Sequence, residues 1–156
     1  MNHQDTKTPR VPPREPSEAV DRVATEIVDA AHKVHNELGP GLLESVYEVC
    51  LEHELVKRGL TVRRQVSLPV VYDSVEIEAG YRLDLVVADS VIVELKSVDT
   101  LLQIHVAQVL TYLKLGGYRL GFLVNFNVTR IKDGMKRIVL LKISRRPSCL
   151  GSESEK

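Results

Sequence analysis

Two apolar segments joined by a short polar sequence constrain the fold of this chain more than any other feature. They are "YRLDLVV" and "VIVELK", and Ala88-Asp89-Ser90 lies between them. Valine-rich runs of this length, separated by turn residues, predict two strands of a β-hairpin. The second run is apolar enough for a buried strand, yet it contains Glu94 and Lys96, whose charges are costly to desolvate.

The length of the hairpin loop decides where these charged side chains lie. If Ala88-Asp89-Ser90 forms the loop, Val87 pairs with Val91, and Asp84 then lies opposite Glu94 on the same face as Lys96. A two-residue loop would turn Asp84 to the other face. On the three-residue interpretation the two facing carboxylates repel each other unless positive charge lies between them. Lys96 supplies part of that charge, and a hard divalent cation such as Mg²⁺ would supply more.

A second interpretation of Glu94 and Lys96 also fits the sequence. Taken alone, the pair is typical of an edge strand, where charges discourage aggregation. A nearby helix favours a functional site instead, because its polar residues His105, Gln108 and Tyr112 recur at helical spacing. They lie beside an apolar stripe that consists of Leu102, Val106, Val109 and Leu113.

Patterns in the rest of the chain predict the fold class. Apolar residues at helical spacing predict helices from about Val20 to Leu38, Leu42 to Arg58 and Thr100 to Leu115. The second helix is expected to turn Leu43, Val46, Tyr47, Cys50, Leu51 and Leu55 inward. β-rich segments follow the second and third helices, with a turn at Asp73-Ser74. The order ααβββ(β)αββ predicts an α/β (α+β) fold with helices covering a central mixed sheet.

Composition suggests the domain organisation and location. Residues 1–17 are polar and rich in proline and predict a flexible leader; one domain follows over residues 18–144, and residues 145–156 predict a flexible tail. No apolar stretch is long enough to span a membrane. With only two distant cysteines, Cys50 and Cys149, we expect reduced thiols and a cytoplasmic protein.

The charge balance limits how the chain could bind nucleic acid. It has 21 Lys plus Arg and 21 Asp plus Glu, so a polyanion would have to dock on a local patch. The candidates are Arg63, Arg64, Arg130, Lys132, Lys136, Arg137, Lys142, Arg145 and Arg146. An equally good interpretation is that these are solvated charges of strands and loops.

Several motifs, taken in order, resemble a known family. Asp84 followed by Glu94-Leu95-Lys96 resembles the D…(D/E)xK core of the PD-(D/E)XK nuclease-like superfamily. The segment "GLLESVY", Gly41 to Tyr47, resembles the signature of the small GxxExxY proteins within it. The similarity extends from about Val20 to Leu141 and implies a restriction-endonuclease-like core with its metal site on the hairpin.

The resemblance also implies roles for individual residues. Asp84 and Glu94 correspond to the metal carboxylates, Lys96 to the catalytic lysine and Glu44 to an acid from an early helix. Gln108 corresponds to a polar residue on the helix after the strand. One or two Mg²⁺ or Mn²⁺ ions would bind Asp84, Glu94, Glu44 and the backbone carbonyl of Leu95. His35, His105 and Tyr112 either contact substrate or pack.

These observations favour a metal-dependent nuclease that hydrolyses phosphodiester bonds, with DNA favoured over RNA as partner and a homodimer left open. Two alternatives belong to other classes. One is a non-catalytic nucleic-acid or protein-binding module that keeps the nuclease-like fold. The other is an interaction protein that assembles through its apolar helical pair, with the carboxylates serving only local structure.

Overall fold

The structure is a computed structural model that describes residues 17–141. Its α-helices are α1 (Glu18–Leu38), α2 (Glu44–Lys57) and α3 (Gln103–Gly116), each within a few residues of its predicted bounds. The Ser17 side chain caps α1 by accepting the N–H of Val20 at 3.3 Å. The predicted tail, and the predicted leader apart from Ser17, lie outside the described residues.

The strands within residues 17–141 form two sheets. They are β1 (Val62–Ser67), β2 (Val70–Tyr72), β3 (Val75–Ile77), β4 (Arg82–Val87), β5 (Val91–Lys96), β6 (Leu120–Asn125) and β7 (Met135–Val139). The main sheet has the order β1-β4-β5-β6-β7, in which β5 and β6 are parallel and the other neighbours antiparallel. β2 and β3 form a separate hairpin around the predicted turn at Asp73-Ser74. The predicted mixed sheet with flanking helices is therefore confirmed.

Helices cover both faces of the main sheet. One core joins α1 and α2 to side chains such as Val93 and Phe122, and the other joins α3 to side chains such as Ile92 and Leu123. Because β5 lies between β4 and β6, it is a central strand. The edge-strand interpretation of Glu94 and Lys96 is therefore wrong.

The β4–β5 hairpin has the predicted three-residue loop. Val87 pairs with Val91 and Leu85 with Val93, and the Ser90 N–H donates to the Val87 carbonyl at 3.0 Å. Ala88 and Asp89 both adopt a left-handed conformation, with φ of 52° and 50°, which turns the chain within this short loop. The same register brings Asp84 and Glu94 together.

The inward face of α2 differs from the prediction at two positions. Tyr47, Leu51 and Leu55 form the buried stripe at a spacing of four residues, as predicted. Leu43, however, is 73% exposed and Val46 is 39% exposed. Leu43 precedes the first residue of the helix, and Val46 lies one residue to the side of the buried stripe. None of the helices within residues 17–141 has the length and hydropathy needed to cross a bilayer.

Candidate active site

Two carboxyl groups hold β4 and β5 together beyond the last regular backbone pair of the hairpin, Leu85 with Val93. Asp84 Oδ2 accepts the N–H of Leu95 at 2.8 Å. Glu94 Oε1 accepts the N–H of Asp84 at 3.0 Å. Each side chain is thereby fixed by the backbone of the opposite strand, so both carboxyl groups are oriented before any ligand binds.

The strands are irregular at Asp84. Leu83 and Leu85 are two residues apart and should share a face, yet Leu83 packs in the α3 core and Leu85 in the α1–α2 core. On β1, Gln65 lies between the residues that pair with Leu85 and Leu83, and it has a positive φ of 53°. Such a conformation is uncommon for a residue other than glycine. This distortion gives Asp84 a position that a regular strand would not.

Burial and mutual repulsion disfavour ionisation of both acids. Burial raises the pKa of Glu94 to about 8, and the adjacent charge of Asp84 adds to the shift. Burial also raises the pKa of Asp84, with a contribution from Glu48, while Lys96 opposes the shift at both acids. The pair therefore lies where more positive charge would be stabilising, which agrees with the sequence prediction.

Lys96 lies at the end of β5 and faces the α3 side of the sheet. It is half-buried and lines a cavity of about 690 Å³. The other lining residues are Val70, Tyr81, Ile104, His105, Ala107, Gln108, Thr111, Tyr112 and Leu115. The structure thus places His105, Gln108 and Tyr112, predicted to form one polar stripe, in the same cavity as Lys96.

Two residues of this wall are held by local contacts. His105 Nδ1 accepts the N–H of Leu102 at 2.9 Å, which leaves the proton of a neutral ring on Nε2. Burial raises the pKa of the Tyr112 hydroxyl, and the negative charge of Glu94 contributes to the shift. Since that charge acts on Tyr112, the α3 wall and the two acids share one electrostatic environment.

Glu44 contacts the segment that follows Lys96. Its Oε2 accepts the N–H of Ser97 at 3.1 Å, and the Ser97 hydroxyl donates to the Leu42 carbonyl at 2.7 Å. These contacts join the start of α2 to the end of β5. In this structure Glu44 is a positioning residue for the strand that bears Lys96.

The other residues of the Gly41–Tyr47 segment shape the loop that receives Ser97. Gly41 has a φ of 99°, a conformation that favours glycine. The Tyr47 hydroxyl donates to the Gly39 carbonyl at 2.6 Å and accepts the Leu42 N–H at 3.1 Å. The Tyr47 ring stacks on Phe126, with centroids 4.4 Å apart. The spacing of Gly41, Glu44 and Tyr47 therefore has a structural reason.

Glu48 is a further acid near the site that the sequence patterns did not single out. It is buried on α2, where its carboxyl group accepts from Arg64 Nε at 2.9 Å and from Gln65 Nε2 at 2.7 Å. Gln65 Nε2 also lies 3.4 Å from Asp84 Oδ1 and so connects the two acids. The sequence feature that could have indicated Glu48 is its position one turn after Glu44, between the buried Tyr47 and Leu51.

Asn125 was not predicted as a site residue either. Its Oδ1 accepts the N–H groups of Val98 at 3.1 Å and Asn127 at 3.2 Å, and its Nδ2 donates to the Val98 carbonyl at 2.9 Å. The loop after Lys96 is thereby tied to the end of β6. The sequence feature that could have indicated Asn125 is an amide side chain at the end of an apolar strand, where a buried amide needs hydrogen-bond partners.

Other predicted residues lie away from this cavity. His35 is buried, donates to the Val128 carbonyl at 2.8 Å and lies beside the Phe126 ring, so it occupies a packing position. Lys132 and Arg137 line a separate cavity of about 500 Å³ between α1 and the sheet. Three other basic candidates pair with acids: Arg63 with Asp89, Arg64 with Glu48, and Arg130 with Asp133. Lys136 is exposed on β7, and Lys142, Arg145 and Arg146 lie outside the described residues.

The donor set at the two acids fits a metal ion only in part. Among residues 17–141, no three or more His, Cys, Asp and Glu side chains form a group that could hold an ion. Asp84 and Glu94 alone fit a hard divalent cation, because they are adjacent carboxyl groups, half-buried and buried respectively, whose pKa values are both raised. Any further ligands would come from the backbone, water or substrate.

Comparison with known proteins identifies one family. The family model described as PD-(D/E)XK nuclease superfamily matches residues 21–138, about three quarters of the chain. The matched range contains Glu44, Asp84, Glu94 and Lys96. The curated proteins and the solved structures gave no significant match.

Proposed function

The chain belongs to the PD-(D/E)XK nuclease superfamily, and from this premise we propose that it is a metal-dependent nuclease that hydrolyses phosphodiester bonds. One observation carries the proposal: the half-buried Asp84 and the buried Glu94 have raised pKa values and lie within the electrostatic influence of Lys96, which lines an open cavity. Groups with perturbed ionisation in a cleft are typical of functional sites. Nucleases of this superfamily generally use divalent metal ions.

We further propose that the chain is a GxxExxY protein. The contacts of Gly41, Glu44 and Tyr47 support this assignment, because each residue of the signature has a separate task in holding the loop beside Ser97.

The site residues would divide the chemistry among them. Asp84 and Glu94 would hold Mg²⁺ or Mn²⁺, which when bound polarises a phosphoryl oxygen and lowers the pKa of water. Lys96 would place its positive charge where the phosphate gains negative charge. Gln65 orients the carboxyl group of Asp84, and Glu44 holds the backbone after Lys96 through Ser97.

A cleavage assay tests the proposal. Purified protein is incubated with Mg²⁺ or Mn²⁺ and a panel of single-stranded, duplex, branched and RNA substrates. We expect cleavage in at least one arm and a loss of about 100-fold or more in Lys96→Ala, the range seen when one stabilising charge is removed. Lys114→Ala is the control, since Lys114 is an exposed residue of α3 outside the lining of the cavity. A panel with no metal-dependent cleavage would contradict the proposal.

A second candidate is a binding module without catalysis. This candidate is favoured because, among residues 17–141, no third His, Cys, Asp or Glu side chain is grouped with the two acids. In that case Asp84→Asn and Lys96→Ala would leave biological activity unchanged. Calorimetric titration with Mn²⁺ separates the two, because the nuclease requires metal binding that Asp84→Ala abolishes.

We also propose DNA over RNA as the substrate, and a homodimer as the assembly. Exposed apolar side chains at and around α2 support the dimer: Leu42, Leu43, Val46, Val49 and Val56. Such a patch is typical of a protein interface. Light scattering measures the assembly, and Val49→Asp should shift a dimer towards monomer.

A further inference from the structure

The cavity beside Lys96 has an unusual lining for a surface that contacts a polyanion. Among the described residues that line it, Lys96 is the only lysine, arginine or acidic residue, so attraction for phosphates is concentrated at one end. The remaining walls are aromatic, aliphatic or uncharged polar, as in pockets that bind small planar groups. Its volume of about 690 Å³ is within the range of such pockets.

Two tyrosines form an aromatic corner in this cavity. Tyr112 is buried, whereas Tyr81 is 45% exposed, and their ring centroids are 6.2 Å apart with planes tilted by 50°. Tyr81 comes three residues before Asp84 in the chain, directly before β4. One ring is therefore fixed by packing, and the other is exposed in the cavity that Lys96 also lines.

Polar groups of α3 lie along the same cavity. Gln108 and Thr111 are three residues apart and so share a helix face, and both line the cavity. Gln108 contributes both donor and acceptor groups, and its side chain also hydrogen-bonds to Tyr112. His105 adds an N–H on Nε2.

Resting on the proposed function, we propose that this cavity binds one unpaired nucleobase of a single-stranded nucleic acid. The base stacks on Tyr81, its polar edge meets Gln108 and Thr111, and its phosphate lies at Lys96. Bases have apolar faces and polar edges, and proteins bind unpaired ones by stacking and by hydrogen bonds to those edges. An intact duplex hides the base faces and presents phosphates, for which the walls within residues 17–141 offer only Lys96.

Binding without cleavage gives the most direct test. Wild-type protein in EDTA is titrated with short oligonucleotides that carry 2-aminopurine, whose fluorescence reports stacking, in single-stranded DNA, single-stranded RNA and duplex DNA arms. We expect tighter binding of one or both single strands than of the duplex. Tyr81→Ala should weaken that binding about 10-fold and reduce the fluorescence change, whereas Tyr81→Phe should stay within about twofold because stacking needs only the ring.

Tyr72→Ala is the matched control. Tyr72 is a strongly exposed tyrosine of β2 that does not line the cavity, so its removal should leave binding unchanged. Thermal melting of each variant establishes that it is folded. If Tyr81→Ala binds single strands as the wild type does, if the duplex binds equally well, or if no strand binds, the inference is overturned.

The same variants separate this inference from the proposed function. Tyr81-dependent binding of single strands without cleavage in Mg²⁺ or Mn²⁺ would support the base subsite and contradict the nuclease. Metal-dependent cleavage of duplex and single strands at equal rates, unaffected by Tyr81→Ala, would support the nuclease and contradict the subsite.

Discussion

Asp84 and Glu94 combine two tasks that usually fall to different residues. Each accepts a backbone N–H of the opposite strand, so each helps to hold the hairpin together, and each is also a candidate metal ligand. The structural task fixes the orientation of the carboxyl group, whereas burial and repulsion keep its ionisation unfavourable. Stability and function should therefore respond in opposite directions when the charge is removed.

The pH dependence of stability tests this conflict at Glu94. Its folded pKa of about 8 lies above the ordinary value of 4.5, so the folded protein favours the protonated acid. Stability should fall as pH rises from about 4.5 to 8, because the unfolded chain ionises first. Glu94→Gln keeps an acceptor oxygen and removes the charge. In EDTA its melting temperature should exceed that of the wild type by several degrees at pH 8.5, and the gap should close near pH 5.

Glu76→Gln serves as the control for this measurement. Glu76 is an exposed residue of β3, and its substitution should follow the wild type at every pH. A melting-temperature gap for Glu94→Gln that is the same at pH 5 and pH 8.5 would contradict the assignment of the raised pKa.

Individual site residues differ in how far the sequence could predict them. The contact between Asp84 and Glu94 follows from hairpin register, which a short loop determines locally. Glu48 and Asn125 act through partners 17 and 27 residues away in sequence. No local sequence pattern identifies the partners of Glu48 and Asn125. They are determined by how α2 and β6 pack against the hairpin.

At the scale of elements, the loop between α1 and α2, residues 39–43, connects the helical layer to the candidate site. It receives the Ser97 hydroxyl on the Leu42 carbonyl, and the Tyr47 hydroxyl bridges its two ends. A loop held in this way can fix the end of β5 without contributing an atom to the chemistry.

Tyr47→Phe tests the role of this loop. The substitution keeps the ring on Phe126 but leaves the Gly39 carbonyl and the Leu42 N–H without their partner. We expect a loss of about 1–2 kcal/mol in the free energy of unfolding, measured by urea denaturation. Cleavage should fall as well, because the backbone after Lys96 loses part of its support. Tyr72→Phe, which removes an exposed hydroxyl from β2, is the control; an equal effect in both variants would contradict the assigned role.

A cluster of charges stabilises the contact between α1 and α2. Glu54 is buried on α2, and its carboxyl group lies 3.2 Å from Lys33 Nζ and 3.4 Å from Arg58 Nε. Burial opposes ionisation of Glu54, but Lys33, Lys57 and Arg58 outweigh it and hold the pKa below its ordinary value. The contribution to stability is therefore present above the ordinary pKa of about 4.5 and is lost as pH falls through the folded value.

Glu54→Gln measures this contribution. At pH 7 it should lower the free energy of unfolding by about 1 kcal/mol, a value limited by solvent exposure of the lysines. The difference from the wild type should shrink below pH 4. Urea denaturation at both pH values provides the measurement, with Glu37→Gln, an exposed residue of α1, as control. A difference that grows on acidification would contradict a stabilising role for the ionised Glu54 carboxylate.

Element boundaries were predictable where glycine or a turn ends a periodic segment, and less so elsewhere. Gly39 and Gly117 end α1 and α3 with positive φ, close to the predicted positions. The β-rich segments were harder, because each of the first two breaks into two strands. The breaks lie at residues 68–69 and 78–81, and the Leu68 N–H donates to the Tyr81 carbonyl across them. Local propensity continues through these positions, and tertiary contacts decide where pairing stops.

For the whole molecule, the sheet separates two cavities. The cavity with Lys96 lies under α3, and the cavity with Lys132 and Arg137 lies under α1 on the other face. Charge counts could not reveal this separation, because basic residues adjacent in sequence on β7 point to alternate faces. The net charge of zero adds no general attraction, so the affinity for a polyanion depends on the cations that lie on the same side as Lys96.

The salt dependence of nucleic-acid binding identifies the docking face. Each phosphate contact to a single strand contributes about −0.7 to the slope of log K against log salt. Lys96 lines the cavity on the α3 face, so Lys96→Ala should reduce the slope by about that amount. Lys132→Ala should leave it unchanged, since Lys132 lines the cavity on the α1 face. Fluorescence titrations between 50 and about 200 mM salt measure both slopes. An unchanged slope in Lys96→Ala and a reduced slope in Lys132→Ala would place docking on the α1 face. A wild-type log K that does not change with salt would contradict phosphate docking altogether.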